Sequence, residues 1–265
     1  MIDYHLHTSR CCHASGTLVE YLETARKINL KEIGFADHFP LDLLEYTPRA
    51  QVTMKGDELA EYMSQVNSLK NSPDGVIIKL GIEIDYIPEK ESKIAEVIGQ
   101  YQFDYIIGSI HFMDGWDFTH PRYADDYAAR DIAGLYRTYF ELVWAACGSR
   151  LFDIIGHLDV IKKFGYRPDE DLEPYWVKTA QILKETDTCL ELNTAGRDVP
   201  VGEFYPDRRM LEICSAEGVP LTVGSDAHSP EQVGRYFDQA EDLLREVGYK
   251  ELAVFEKRIR RSIPL

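Results

Sequence analysis

Met1-Ile-Asp-Tyr-His5-Leu-His7-Thr8 opens the chain, and this short apolar run leads into two closely spaced histidines. On an extended strand successive side chains point to opposite faces, so His5 and His7 point the same way. Two imidazoles that arrive together at the end of a strand can chelate one divalent cation. Two partly exposed structural histidines would give the same pattern, because an H-x-H pair often occurs by chance. The rest of the chain has to decide between these interpretations.

Size and charge limit the classes of protein to which the chain can belong. Its 265 residues suffice for one large α/β domain or two small ones, and 45% hydrophobic with 28% charged residues is typical of globular proteins. The net charge of −16 repels polyanions, so we expect no nucleic-acid partner. The basic cluster Lys257, Arg258, Arg260 and Arg261 is interpreted as an ordinary solvated helix or tail.

Targeting signals and cysteine usage favour a reduced, cytoplasmic protein. Asp3 and two histidines follow Met1 closely, so we expect no signal peptide. No apolar run approaches the ~20 residues that span a bilayer, so we expect no membrane partner. The five cysteines are odd in number and fit no disulfide framework.

Apolar runs rich in β-branched residues alternate with amphipathic stretches of helical length, which predicts βα units and a parallel sheet. The predicted strands are Ile2–His5, Glu32–Ala36, Val76–Ile84, Tyr105–Ser109, Asp153–Gly156, Cys189–Asn193 and Leu221–Ser225. The predicted helices are Leu18–Ile28, Gly56–Lys70, Glu89–Tyr101, Ala128–Cys147, Glu173–Thr186, Asp207–Glu217 and Glu231–Val247. No repeat or linker interrupts them, so we expect one domain over residues 1–265. Seven βα units indicate a closed or nearly closed barrel, with its active site at the carboxyl ends of the strands.

Histidines and carboxylates follow these apolar runs, at the end where a barrel carries its active site. Seven of the eight histidines fall there, a preference that scattered structural histidines would not show. The candidate metal ligands are His5, His7, His13, His38, Glu83, His111, His157, Asp226 and His228. Imidazoles with a few carboxylates suit Zn, Mn or Fe better than Ca or Mg, and nine ligands suffice for two or three ions.

The charges of these ligands indicate the class of substrate. Three divalent cations would carry six positive charges against the two negative charges of Glu83 and Asp226, so the site favours hydroxide and a dianionic phosphate. Clustered metal ions lower the pKa of a bridging water and can stabilise both the attacking and the leaving oxygen. The expected chemistry is therefore the hydrolysis of a phosphate ester.

The order and spacing of these motifs resemble the PHP (polymerase and histidinol phosphatase) superfamily over essentially the full chain. The motifs are His5-x-His7, His13, Asp37-His38, Glu83, Gly-Ser-Ile-His111, Gly-His157 and Gly-Ser-Asp226-Ala-His228. Three further stretches, Asp37–Pro40, Gly108–Phe118 and Glu191–Pro206, resemble the histidinol-phosphate phosphatases of that superfamily. The resemblance implies a distorted (βα)7 TIM-like barrel of the PHP fold with a trinuclear metal site.

By position, the resemblance also implies which residues hold each metal ion. His5, His7, Glu83 and Asp226 would hold the first ion; Glu83, His111 and His157 the second; His13, His38 and His228 the third. The DNA-polymerase-associated and tyrosine-phosphatase branches share these ligands, so the ligands alone do not select a substrate.

Residues in the strand-end loops are candidates for substrate contacts. Arg197 could clamp a phosphate bidentately, or be an ordinary surface arginine. Lys162 and Lys163 could assist it or simply be solvated, and Trp116 could line the pocket or pack its loop. His120 could contact the substrate or protonate the leaving alkoxide, or be an exposed loop histidine. The general acid stays open among Asp226, His228 and His120.

The function predicted from all of this is that of a metal-dependent phosphatase of small phosphomonoesters, with L-histidinol phosphate, an intermediate of histidine biosynthesis, as the expected substrate. Asp226, His228 and Arg197 are the predicted catalytic residues, and a metal-bound hydroxide is the expected nucleophile. Two alternatives remain. One is a phosphoesterase of the same fold that acts on nucleotides or phosphotyrosine, and the other is a non-catalytic metal-binding regulatory protein. The oligomeric state stays open.

Overall fold

The computed structural model describes residues 1–70 and 75–265, and its strands follow the β-branched runs of the sequence. In chain order, the strands of these residues are β1 (Ile2–Leu6), β2 (Glu32–Phe35), β3 (Ile77–Asp85), β4 (Tyr105–Ser109), β5 (Phe112–Met113), β6 (Trp116–Asp117), β7 (Ile154–Ile155), β8 (Cys189–Asn193), β9 (Leu221–Gly224), β10 (Glu251–Glu256) and β11 (Ile259–Pro264). Seven of them form one parallel sheet in the order β1-β2-β3-β4-β7-β8-β9. Six of these seven are buried along their full length, which is why they appear as continuous apolar runs.

The first and last strands of the sheet approach each other at their carboxyl ends. His7 donates its main-chain N–H to the carbonyl of Ala227 at 2.9 Å, and Ala227 donates to the carbonyl of His5 at 3.1 Å. These bonds form a parallel bridge between Leu6 and Ala227. The predicted barrel is thus confirmed as a nearly closed one, and its closure brings His5 and His7 beside the residues that follow β9.

Helices surround this barrel and connect its strands. In the described residues they are α1 (Leu18–Lys27), α2 (Leu59–Leu69), α3 (Glu91–Ile98), α4 (Ile132–Ser149), α5 (Glu173–Thr186), α6 (Arg208–Glu217) and α7 (Phe237–Glu246). The helix predicted from Glu231 begins only at Phe237, because Gly234 and Tyr236 adopt left-handed backbone angles that interrupt it. None of the helices in these residues combines the length and apolarity needed to cross a membrane.

An antiparallel hairpin of β10 and β11 covers the barrel at the amino ends of its strands. Phe255 donates its main-chain N–H to the hydroxyl of Tyr4 at 3.0 Å, and its ring lies 6.3 Å from the rings of Tyr4 and Tyr105. Arg258 pairs with Asp153 at 2.9 Å, just before β7, and Arg260 pairs with Asp187 at 2.7 Å, just before β8. The prediction of a solvated helix or tail for this basic cluster was therefore wrong.

Replacing Phe255 by alanine is expected to lower the free energy of unfolding by about 3–5 kcal/mol, because the ring is buried against two barrel tyrosines. Denaturant unfolding of the purified variant measures this change. Ile259→Ala is the matched control, since Ile259 lies on the same hairpin but is 63% exposed. We expect it to change stability by no more than about 0.5 kcal/mol. Equal losses in the two variants would contradict the packing role of Phe255.

Candidate metal centre

The nine predicted ligands converge at the carboxyl ends of the barrel strands. They lie at the bottom of a cavity of about 600 Å³. Seven of them line the cavity, namely His13, His38, Glu83, His111, His157, Asp226 and His228. His5 and His7 lie beneath them and are fully buried, with the His7 ring 4.1 Å from that of His228. The alternation of side chains along β1 therefore does place both imidazoles toward the same site.

Glu83, on β3, lies at the centre of this cluster. Its Oε1 is 2.9 Å from His157 Nε2, and its Oε2 is 2.8 Å from His38 Nδ1. The nearest nitrogens of His5, His7 and His111 lie 3.4, 3.6 and 3.7 Å from the same carboxylate. Burial alone would raise the pKa of Glu83, but His38 and the other imidazoles hold it well below its ordinary value. A buried carboxylate that stays ionised among five imidazoles is suited to bridge two cations.

Two imidazoles at the mouth of the cluster face each other nitrogen to nitrogen. His13 Nε2 lies 3.0 Å from His228 Nε2. In each ring Nδ1 lies within 3.0 Å of the carbonyl oxygen two residues earlier, so a neutral ring carries its proton on Nδ1 and a lone pair on Nε2. Burial and the neighbouring His38 lower the pKa of His13 to about 4, which keeps that ring neutral near pH 7. Two lone pairs at this distance repel each other unless a cation binds between them.

A similar pair lies deeper in the site, where His111 Nε2 is 3.1 Å from His157 Nε2. His111 Nδ1 lies 2.8 Å from Asp85 Oδ1, so its proton is held on the side away from that pair. The Nε2 of His5 is buried and has no hydrogen-bond partner among the described residues, and that of His7 lies 3.0 Å from Asp226 Oδ1 without good hydrogen-bond geometry. Buried polar atoms of this kind are costly unless a partner binds them. The donor set therefore fits metal ions.

The backbone at two of these residues is unusual. His157 has φ 23° and Asp226 has φ 51°, both in the left-handed region that non-glycine residues rarely occupy. Strained residues of this kind are often found at functional sites, where the surrounding structure holds them. Arg235 supplies part of that support, because it donates to the carbonyl oxygens of Ser225 and Asp226, each at 3.0 Å.

The structure separates the four predicted substrate contacts. His120 lines the cavity, and its Nδ1 accepts the main-chain N–H of Arg122 at 3.1 Å. Arg197 is not among the described residues that line the cavity, and it donates instead to the carbonyl of Gly202 at 3.0 Å. Its guanidinium also lies over the ring of Phe204. In this arrangement Arg197 does not reach the cavity, which argues against the predicted phosphate clamp.

Lys162 and Trp116 also lie outside the described cavity lining. Lys162 is buried and pairs with Asp159 at 3.0 Å and Glu203 at 3.3 Å, so its charge is already neutralised. The buried ring of Trp116 packs beneath the guanidinium of Arg130, 3.8 Å from the ring centre. Both side chains stabilise loops here, which argues against their predicted contact with the substrate.

Two cations do line the cavity: Lys163, which the sequence offered together with Lys162, and Arg235, which sequence reasoning missed. Lys163 follows Lys162, and burial lowers its pKa while the charge of Asp226 opposes that change. Arg235 pairs with Asp198 at 2.8 Å, and Asp198 lies on the same wall. The position after His157 pointed to both lysines without choosing between them, and no strand-end motif marks Arg235, which only the path of its loop could identify.

Comparisons with known proteins identify the family of the chain. The sequence model for the PHP domain matches residues 3–195, and the model for the PHP-associated region matches residues 206–248. A probable histidinol-phosphatase from Deinococcus radiodurans is 37% identical over 252 residues, which are 94% of each chain. The histidinol-phosphatase of Bacillus subtilis is 29% identical and covers 89% of this chain and 96% of its own.

Among solved structures, the fold matches the histidinol phosphate phosphatase from Lactococcus lactis complexed with Zn, L-histidinol and phosphate. The TM-score is 0.84 at 22% identity, and the match covers 98% of both chains. At 22% identity this structural likeness shows a shared fold only, whereas the sequence matches show a common family. Together they confirm the resemblance seen in the motifs, and the chain belongs to the PHP domain family.

Proposed function

We propose that this protein is a metal-dependent phosphomonoesterase whose substrate is L-histidinol phosphate. The observation that carries the proposal is the convergence of seven imidazoles and two carboxylates at one cavity, five of the imidazoles lining it and His5 and His7 lying beneath them. The names of the Deinococcus and Bacillus relatives support the choice of substrate. A complete ligand set argues against a non-catalytic relative, in which some ligands would have been lost.

We assign three metal positions to these residues, with Zn, Mn or Fe as the ions. The first position consists of His5, His7, Glu83 and Asp226; the second of Glu83, His111 and His157; the third of His13, His38 and His228. Bound ions would supply Lewis acidity toward the phosphoryl oxygens and lower the pKa of a water that attacks phosphorus.

The chain's own residues bind the phosphate and move the proton. Lys163 lines the cavity beside the cluster, so we assign it, in place of Arg197 and Lys162, to the phosphoryl oxygens. The leaving alkoxide needs a proton, and His120 carries one on Nε2 because its Nδ1 accepts a hydrogen bond. Asp226 and His228 are poorer donors. Burial would raise the pKa of Asp226, but His5 and His7 hold it well below its ordinary value.

The cavity wall argues for a substrate with a cationic organic group. Asp117, at the end of β6, and Asp198 both line it, and Asp198 already pairs with Arg235. L-Histidinol phosphate presents an ammonium group and an imidazole, which carboxylates can bind through charge-assisted hydrogen bonds. A nucleotide would bring no such cation to this wall. The carboxylate of Asp117 therefore favours histidinol phosphate over the nucleotide alternative.

A comparison of rates across substrates tests this proposal. Purified protein loaded with Mn or Zn is expected to hydrolyse L-histidinol phosphate with a kcat/KM at least about 100-fold above those for AMP, phosphotyrosine and p-nitrophenyl phosphate. The expected preference reflects hydrogen bonds from an ammonium group and an imidazole together, a pair that none of the other three substrates carries. Equal turnover on all four substrates would contradict the specific assignment and leave a general phosphatase.

Asp117→Asn sharpens this comparison, because asparagine keeps the side-chain shape and an Oδ1 that can accept from Thr119 and His120 as Asp117 does. Loss of the charge is expected to lower kcat/KM for L-histidinol phosphate by about tenfold, in keeping with a charged hydrogen bond. Turnover of p-nitrophenyl phosphate is expected to stay within about twofold. A parallel loss on both substrates would mean that Asp117 supports its loop and does not recognise the cation.

A further inference from the structure

A buried carboxylate that takes no part in the proposed chemistry lies beneath the metal ligands. Glu191, on β8, is completely buried, and its Oε1 lies 2.6 Å from His5 Nδ1. Its Oε2 accepts the main-chain N–H of His157 at 2.6 Å and the side-chain amide of Asn193 at 3.1 Å. One side chain therefore contacts a ligand of the first metal position and a ligand of the second.

We propose that Glu191 is a positioning residue that fixes the proton of His5 on Nδ1 and holds the main chain of His157, so that both imidazoles present Nε2 to metal ions. A carboxylate only accepts hydrogen bonds, so the His5 nitrogen that faces it must be the donor. The other nitrogen of that ring then carries the lone pair that a metal needs. This inference rests on the metal-binding part of the proposed function.

His157 needs such support because its backbone lies in the left-handed region, with φ 23°. The hydrogen bond from its N–H to Glu191 holds the peptide in that conformation, while its Nε2 lies 2.9 Å from Glu83 Oε1. Asp85 orients His111 from the side in a similar way, but it contacts one ring only. Glu191 differs because it joins two metal positions from below.

The barrel leaves room for this carboxylate at Gly224, on β9. A Cβ atom at that position would overlap Glu191 Oε1 and lie 2.6 Å from His5 Cβ. A residue without a side chain is therefore required there for Glu191 to reach His5. The strands around Glu191 therefore accommodate a carboxylate deep in the barrel, at a position where an apolar side chain would ordinarily be buried.

Glu191→Gln tests the inference, because glutamine has the same shape but one oxygen and one NH₂. Whichever way the amide turns, its NH₂ faces either His5 Nδ1–H or the N–H groups of His157 and Asn193. We expect two of three metal ions per chain to bind about 10–100-fold more weakly, as measured by competition with a chromophoric chelator. Unchanged affinity for all the ions would overturn the proposal.

Glu32→Gln is the matched control for this experiment. Glu32 is also a buried glutamate on a barrel strand, but it accepts a hydrogen bond from the Tyr4 hydroxyl at the opposite end of the barrel. This variant is expected to lose stability while its metal affinity stays within about twofold of wild type. If Glu32→Gln weakened metal binding as much as Glu191→Gln, the effect would be general destabilisation and the proposal would fail.

A second measurement on the unaltered protein covers the case in which Glu191→Gln does not fold. Two-bond ¹H–¹⁵N spectra of the Zn-loaded protein distinguish a protonated from a metal-bound imidazole nitrogen. We expect the proton of His5 on Nδ1, and a proton on Nε2 would overturn the proposal. Neither measurement depends on turnover. Failure to hydrolyse L-histidinol phosphate would refute the proposed function and leave the role of Glu191 intact.

Discussion

Glu83→Gln is expected to lower kcat/KM for phosphomonoester hydrolysis by about 10³-fold or more, which corresponds to about 4 kcal/mol of transition-state stabilisation. The carboxylate is surrounded by five imidazoles and is the one ligand that we assign to both the first and the second metal position. Glutamine keeps its size but removes its charge and one acceptor oxygen. Steady-state rates with matched metal loading measure the loss.

Two further variants make this result decisive. His7→Ala removes a buried ligand of the first position only and is expected to abolish turnover while the fold stays nearly intact. Glu32→Gln, at the far end of the barrel, is expected to keep turnover within about twofold. Near-wild-type activity in Glu83→Gln or His7→Ala would contradict the proposed mechanism.

Removal of the metal ions by chelation is expected to abolish turnover and to lower the melting temperature by roughly 8–16 °C. One ion present at a thousand times its dissociation constant stabilises the folded state by about 4 kcal/mol, and each kcal/mol shifts the melting temperature of a chain this large by about 2–4 °C. Calorimetry before and after chelation measures the shift, and elemental analysis after reloading counts the ions. Less than one ion per chain would contradict the metal cluster.

The chelated protein is also expected to lose stability as the pH rises. Burial alone would lower the pKa of His7 and His111, but Asp226 and Asp37 raise that of His7 to about 9, and Asp85 raises that of His111 to about 9. Both pKa values exceed the ordinary 6.5, so the folded state holds these protons more tightly than the unfolded chain does. The stability that the two protonated histidines contribute is complete below about pH 6.5 and disappears as the pH rises through 9. Melting temperatures of the chelated protein over this range should fall. A melting temperature that does not change over this pH range would contradict the expected role of the two histidines.

The barrel could be predicted from the sequence because its strands are buried on both faces and therefore appear as uninterrupted apolar runs. The terminal hairpin could not be predicted in the same way. Its turn is Lys257-Arg258, with φ 50° and 64°, where hairpin turns ordinarily use Asn or Gly. Strand β11 is largely exposed and carries two arginines, so no burial pattern marked it. Its partners Asp153 and Asp187 become neighbours only once the barrel has formed.

The metal ligands could be predicted because each follows a strand, and parallel strands place their carboxyl ends together. The cavity wall could not, because loop paths depend on tertiary packing. Nothing local shows that Lys163 lines the cavity while Lys162 pairs with Asp159. Likewise, Arg235 reaches back to the carbonyl of Asp226, nine residues earlier in the chain. The role inferred for Glu191 depends on two contacts that join three separate strands or strand ends.

The hairpin that covers the amino ends of the strands affects how the newly synthesised chain folds. Phe255 and Tyr4 are 251 residues apart in the chain, yet they share a hydrogen bond and a ring contact. Contacts of such long range form late, because the chain entropy lost in closing the loop is recovered only when the contacts are made. Strand β1, which carries His5 and leads into His7, cannot be fully packed before residues 251–256 have emerged from the ribosome. We therefore expect tight metal loading only after residues 251–256 have packed against β1.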